Sequence, residues 1–115
     1  MRAGEQAEQT AASFLQRQGL RLLHSNYRCR FGEIDLILQD GGTRVFAEVR
    51  LRSRDDFGGA AASIDARKQQ KLILAAQHYL AGVSPQPPCR FDAVLLASAD
   101  GTQGIEWLKN AFQIG

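Results

Sequence analysis

The chain opens with apolar positions at helical spacing. Ala7, Ala11, Phe14, Leu15 and Gln18 fall on one stripe of residues 3–18, and Gly19 supplies a stop. The period then shortens to two. Leu20–Tyr27 reads as a first strand. In Glu33–Gln39, Ile34, Leu36 and Leu38 alternate with Glu33, Asp35 and Ile37. Asp40-Gly41-Gly42-Thr43 carries the signal of a two-residue hairpin loop. In the returning strand, Thr43–Arg52, Val45, Ala47, Val49 and Leu51 face one way, and Phe46, Glu48, Arg50 and Arg52 the other. A polar, glycine-ended loop over Ser53–Gly59 leads to a second helix, from about Ser63 to Leu80, expected to bury Leu72, Ala76, Tyr79 and Leu80. Ser84-Pro85-Gln86-Pro87-Pro88 breaks any helix. An apolar strand over Arg90–Ala97, an Asp100-Gly101 turn and a last strand over Ile105–Leu108 complete the order α-β-β-β-α-β-β.

The hairpin makes a specific geometric statement. With Gly41 and Gly42 as the loop, Asp40 pairs with Thr43, which sets Asp35 opposite Glu48 and Glu33 opposite Arg50 on one face. Ile34, Leu36, Val45, Val49 and Leu51 fill the other. Opposed side chains have Cβ atoms roughly 5 Å apart, so two carboxylates there can share one cation, and without one they repel. Mg²⁺ held by two carboxylates, keeping several waters, is the outline of a phosphodiester-hydrolysis site. An exposed face with a Glu33–Arg50 ion pair and two solvated acids explains the same residues equally well.

Composition narrows the choice only a little. The length of 115 residues suits one domain, spanning 1–115. The formal net charge of +2 does not by itself demand a polyanion. Of 14 basic residues, Lys68, Lys71 and Lys109 are lysine, leaving eleven arginines, the better phosphate fork. Cys29 and Cys89 stand 60 positions apart with two histidines in the chain, so no zinc spacing exists, and two free thiols point to a reducing, cytoplasmic setting. No apolar run approaches transmembrane length, so no membrane partner is expected.

The strings Gly32-Glu33-Ile34-Asp35-Leu36-Ile37, Val45-Phe46-Ala47-Glu48-Val49-Arg50-Leu51-Arg52 and Phe57-Gly58 resemble the YraN family of bacterial proteins. Gly4-Glu5, Lys68, Arg90-Phe91-Asp92 and Trp107-Leu108-Lys109-Asn110-Ala111-Phe112 fit the same pattern, so the resemblance covers nearly the whole chain. That family is similar to archaeal Holliday-junction resolvases and to the restriction-endonuclease-like PD-(D/E)xK fold. The resemblance implies an α/β domain with a central mixed β-sheet of about five strands flanked by helices, and a Mg²⁺-dependent (or Mn²⁺-dependent) endonuclease acting on structured or branched DNA. It assigns Asp35 and Glu48 to the metal, Glu5 to an additional helix-borne acid, and the Val49 carbonyl to a further ligand. Glu8, one turn later, competes with Glu5. Symmetric cutting would suit a two-fold dimer.

The family pattern places a lysine two residues after the second acid, where this chain has Arg50. Arginine can hold phosphate but cannot act as a general base. Three readings follow: the metal-bound water needs no lysine, Lys68 or Lys71 substitutes, or the chain binds nucleic acid without cutting it. Arg28, Arg30, Arg52 and Arg54 flank the acids, as phosphate contacts would, and Lys68 joins them from the second helix. Glu33 stands as an outer acid or as half of an ion pair. Tyr27, Phe31 and Phe57 are expected to serve packing more than stacking, and Asp92 a structural hydrogen bond. A protein-binding acidic hairpin is the remaining alternative.

Overall fold

A computed structural model describes residues 3–52 and 64–113 of the chain. The elements are α1 (Ala3–Arg17), β1 (Arg21–Cys29), β2 (Gly32–Asp40), β3 (Thr43–Leu51), α2 (Ala66–Leu80), β4 (Cys89–Leu96) and β5 (Ile105–Phe112). Their order is the expected one. The strands form one five-stranded sheet in the order β1-β2-β3-β4-β5. β1, β2 and β3 make an antiparallel meander, β3 and β4 run parallel with α2 as the crossover, and β5 returns antiparallel to β4. This mixed sheet with helical cover is the architecture expected of a restriction-endonuclease-like fold.

Each face of the sheet carries its own core. Ala11, Ala12 and Leu15 of α1 pack with Leu36, Leu38, Val45, Ala47, Val94 and Leu96, while Leu72, Ala75, Ala76 and Leu80 of α2 pack with Ile34, Ile37, Phe46, Phe91 and Ala93. β3 and β4 are buried on both sides, which is why Phe91 to Leu96 reads as an unbroken buried run. Tyr79, expected in the core, is only half-buried. Gln18 lies beyond the end of α1 and is exposed.

Local chemistry sets the ends of the elements. Asp65 caps α2, its side chain accepting from Lys68 N–H at 2.8 Å, so the helix starts at Ala66; the expected start at Ser63 lies outside the described residues. The cap fixes where Lys68 leaves the first turn. The last strand runs four residues past its expected end. Asn110 takes a left-handed φ of 54° and the register shifts between Phe91 and Ala93, so the polar Lys109-Asn110 step hides a bulge inside one continuous strand.

Candidate metal centre on the central hairpin

The hairpin register is the predicted one from Asp40 opposite Thr43 to Leu36 opposite Ala47. At the next step, where Asp35 would meet Glu48, the ladder stops. Asp35 Oδ2 instead accepts the backbone N–H of Val49 at 2.8 Å. The pleat changes sides at the same point. Ile34 packs with Ile37 on the α2 side, whereas Leu36 packs with Leu38 on the α1 side, although residues two apart on a regular strand share a face. Two face assignments are thereby corrected: Ile34 belongs to the α2 core, and Leu51, at the strand end, is 38% exposed. β3 keeps its expected alternation, so Phe46, Glu48 and Arg50 lie on the α2 side.

The two acids still meet. The charge of Asp35 bears on Glu48, whose side chain is only 8% exposed. Burial, reinforced by the charge of Asp35, pushes the Glu48 carboxyl up to about 7, while Lys68 and Arg50 pull against the rise. Burial also raises Asp35, opposed by the Val49 N–H and by Lys68 and assisted by Glu33. Two cations reach over Glu48 without closing on it. Lys68 Nζ is 3.7 Å from Oε2 and Arg50 Nε is 3.8 Å from Oε1, near enough to act by charge and too far to hydrogen-bond. Glu48 Oε2 and Arg50 Nε are consequently buried without a hydrogen-bond partner.

The helix-borne acid coupled to this pair by charge is Glu8, whose pKa is raised by burial first and then by Asp35. Glu5 stays exposed on the lip of a cleft of about 830 Å³ that Glu8, Asn26, Arg28 and Glu33 also line. The signal for Glu8 lay in its spacing: it precedes Ala11 by three residues and Leu15 by seven, and both are fully buried. Asn26, held at φ 55° and lining the same cleft as Glu8, carried no such signal.

Glu33 does not pair with Arg50. With the β2–β3 ladder ended at Leu36, its neighbour is β1, where it stands opposite Arg28 and forms a 3.8 Å ion pair. Arg30 is exposed, its guanidinium 4.8 Å from the centre of the Phe31 ring. Arg52 ties its backbone N–H to Leu96 O at 2.8 Å and sends its guanidinium towards Leu51 O. Arg54, Phe57 and Gly58 lie outside the described residues. Lys71 abuts Gly32, where an added Cβ would sit 3.6 Å from Lys71 Cβ and the backbone has φ 150°. A side chain would fit against Lys71 there, and it is the backbone φ that favours glycine at 32.

Among the described residues, no three His, Cys, Asp or Glu side chains gather into a ready metal cage. The donor set nevertheless fits a hard divalent cation. Two adjoining carboxylates repel, and one oxygen is buried with no partner; Mg²⁺ and Mn²⁺ favour such oxygens and take their other ligands from water and substrate.

Comparison with known proteins bears on the whole arrangement. Residues 7–96 match the uncharacterised protein family UPF0102. A UPF0102 protein of Nitrosomonas europaea is 62% identical over 109 residues, covering 95% of this chain and 92% of the relative. One from Nitrosomonas eutropha is 60% identical over 112 residues, covering 97% and 94%, and one from Nitrosospira multiformis is 53% identical over 111 residues, covering 96% and 92%. Among the described residues no helix is long and apolar enough to cross a membrane. With the match running through both helices and four of the five strands, the chain belongs to the UPF0102 family, the family of the YraN proteins that its hairpin motifs resemble.

Proposed function

We propose that this protein is a cytoplasmic, divalent-metal-dependent nuclease acting on structured or branched DNA, with Asp35 and Glu48 as the metal-holding pair. The observation that carries the reading is the buried pair itself: two mutually repelling carboxylates, one with an unpartnered oxygen, under two cations that stop short of neutralising them by contact. A Mg²⁺ or Mn²⁺ ion bound there would stabilise charge on the scissile phosphate and acidify water.

The chain's own side chains fill the other roles. On this reading Lys68, whose Nζ is 3.7 Å from Glu48, takes over from the missing strand lysine, and as an ammonium group it can donate a proton to the departing oxygen or orient the attacking water. Arg50 stays charged and serves as a phosphate contact. Glu8, in place of Glu5, is assigned to the acidic wall, since its carboxyl is coupled by charge to Asp35. Arg28, Arg52 and Arg54 are assigned to the phosphate backbone and Arg30 to a nucleic-acid contact at the β1–β2 turn, and a two-fold dimer would let two such centres cut opposing strands.

The test is cleavage of labelled four-way junction, flap, single-strand and plain duplex substrates with Mg²⁺, Mn²⁺ or EDTA. The expected result is metal-dependent product that falls about 10²-fold or more in Asp35→Ala, since metal charge stabilisation amounts to several kcal/mol. Products that persist in the variant or in EDTA overturn the assignment. One observation favours a second reading, a binding module without turnover: Lys68 and Arg50, cations of the chain itself, stand beside Glu48 and pull against the rise of its carboxyl. Salt-sensitive DNA binding with no product under any metal would establish that reading.

A further inference from the structure

α2 leads away from the carboxylate pair along a line that the nuclease reading uses only at its first residue, Lys68. Lys68, Lys71 and His78 fall on one stripe of the helix, at successive steps of three and seven residues. Each is located by a contact. Lys68 is 3.7 Å from Glu48, Lys71 abuts the turn at Gly32, and His78 Nδ1 lies 2.5 Å from Tyr27 Oη, with its ring 6.0 Å from that of Phe31. The stripe therefore runs beside the β1–β2 turn for about 15 Å, at 1.5 Å per helical residue.

The far end of this strip has unusual chemistry for a surface turn. Phe31 is half-buried, and its ring neighbours among the described residues are His78 at an edge and the Arg30 guanidinium across a face. The inner aromatic residues Tyr27, Tyr79, Phe46 and Phe91 pack on one another and belong to the fold. Phe31 ends that chain on the outside. Arg44 also lies over an aromatic ring, Tyr79, but its guanidinium is fixed by bonds to Gln39 and to Tyr79 Oη. Arg30 is exposed and its guanidinium makes no such bonds among the described residues, which leaves it open to stacking.

We infer that this strip holds an unpaired DNA strand, with the Lys68 and Lys71 side chains along its backbone and one base stacked on the Arg30–Phe31 pair. The inference rests on the nuclease reading for its orientation, since it runs from Glu48 outwards. It also specifies the substrate: bases in a duplex already stack on their neighbours and have no free face to offer, whereas a splayed arm or gap does. Cationic side chains that track the backbone, with an aromatic platform for one base, bind single strands with little regard to sequence.

The test measures binding in EDTA, so it does not depend on turnover. Fluorescence anisotropy would compare a labelled thymidine oligonucleotide, a blunt duplex and a duplex with a single-stranded arm, against wild type, Phe31→Ala, Phe31→Tyr and Arg30→Ala. Wild type should prefer the single strand and the armed duplex to the blunt duplex. Phe31→Ala should weaken the two preferred ligands about tenfold, as loss of one base–aromatic stack does, and change blunt-duplex binding less than about twofold. Phe31→Tyr should retain binding. If Phe31→Ala fails to fold, Arg30→Ala, an exposed change, should produce the same selective loss. Equal wild-type affinity for strand and blunt duplex, or single-strand binding untouched by both alanine variants, overturns the inference. Selective loss in a protein that cleaves nothing upholds it while the nuclease reading falls; cleavage with no such loss does the reverse.

Discussion

Glu48 and Asp92 occupy neighbouring strands at almost one level of the sheet. Ala47 stands opposite Asp92 and Glu48 opposite Ala93, so the two acids point to opposite faces. Both are buried, at 7% and 1% exposure. Their surroundings could hardly differ more. Asp92 accepts Arg90 Nε at 3.0 Å, Trp107 Nε1 at 3.0 Å and the Asn110 N–H at 2.9 Å, and Arg90 extends the network to Asp40 at 2.9 Å. Every donor aimed at it comes from the fold itself, tying β2, β4 and β5 together. Glu48 has two cations beyond hydrogen-bonding distance, a second acid beside it and an oxygen with no partner. A buried acid whose partners are complete is a brace, while one left incomplete is open to a ligand.

The sharpest way to break this comparison is Asp92→Ala. It would strand the Trp107 and Asn110 donors in the interior and leave Arg90 with Asp40 alone, and removing one partner of such a network costs about 3–5 kcal/mol. Urea unfolding should show that loss. A cost below about 1 kcal/mol would mean that the network is relaxed by water and is not a brace.

What the sequence revealed divides along the same line. Period-two alternation and Gly41-Gly42 were enough to set the hairpin register down to Leu36 and Ala47, because one turn and one buried face determine every pair that follows. They could not show that the ladder ends there, because the cause is a side chain: Asp35 takes the Val49 N–H that a strand would have used. Glu33 was misassigned to Arg50 for that reason alone. The family motif picked out Asp35 and Glu48, yet it also favoured Glu5 over Glu8. The burial stripe through Ala11 and Leu15 points instead to Glu8, because it reports which side of α1 meets the sheet. The reach of Lys68 depends on the parallel crossover that brings the first turn of α2 over β3, and no local pattern encodes a crossover's landing point. Asn110 hid its bulge because a polar pair looks like the end of a strand.

Lys68 sharpens the active half of the comparison. If its ammonium donates or steers a proton, Lys68→Met should lower metal-dependent cleavage about 10²-fold, the lower end of acid–base contributions. Lys68→Arg, which keeps the charge and loses the proton chemistry, should fail to restore it. Arg50→Lys should leave turnover intact, because a lysine on the strand restores both charge and a titratable amine. Full activity in Lys68→Arg would reduce Lys68 to an electrostatic contact.

The next effect concerns pH and reads the pair without any substrate. Glu48 titrates at about 7 in the folded chain, above its ordinary value of 4.5. Below pH 4.5 it is protonated both folded and unfolded, and its contribution to stability is complete. As pH rises towards 7 the unfolded chain ionises first, so the folded state loses ground, and above 7 the loss is fixed. Metal-free protein should therefore be less stable at pH 8 than at pH 5.5, and Glu48→Gln should remove most of that slope, stabilising the fold at pH 8 by about 2 kcal/mol. Asp35, raised in the same direction, leaves a smaller residual slope. Added Mg²⁺ should raise the melting temperature of wild type at pH 8 and leave Glu48→Gln unmoved. A wild-type stability that climbs from pH 5.5 to 8 would show that Lys68 and Arg50 already satisfy the pair.

The smallest effect belongs to Glu33, the acid that the register placed at the centre and the fold moved to the rim. Its ion pair with Arg28 is 3.8 Å long, with the two side chains 41% and 76% exposed. Exposed pairs of this kind contribute about 0.2–1 kcal/mol, so Glu33→Gln should cost no more than about 0.5 kcal/mol in urea unfolding. Its charge nevertheless adds to the upward pressure on Asp35. Removing that charge should ease Asp35 back towards its ordinary range and shift the rising limb of the cleavage–pH profile slightly to lower pH, with the plateau rate unchanged. A plateau that falls tenfold would instead place Glu33 among the groups that hold the metal. The Asp35–Glu48 pair would then no longer stand as the whole of the centre.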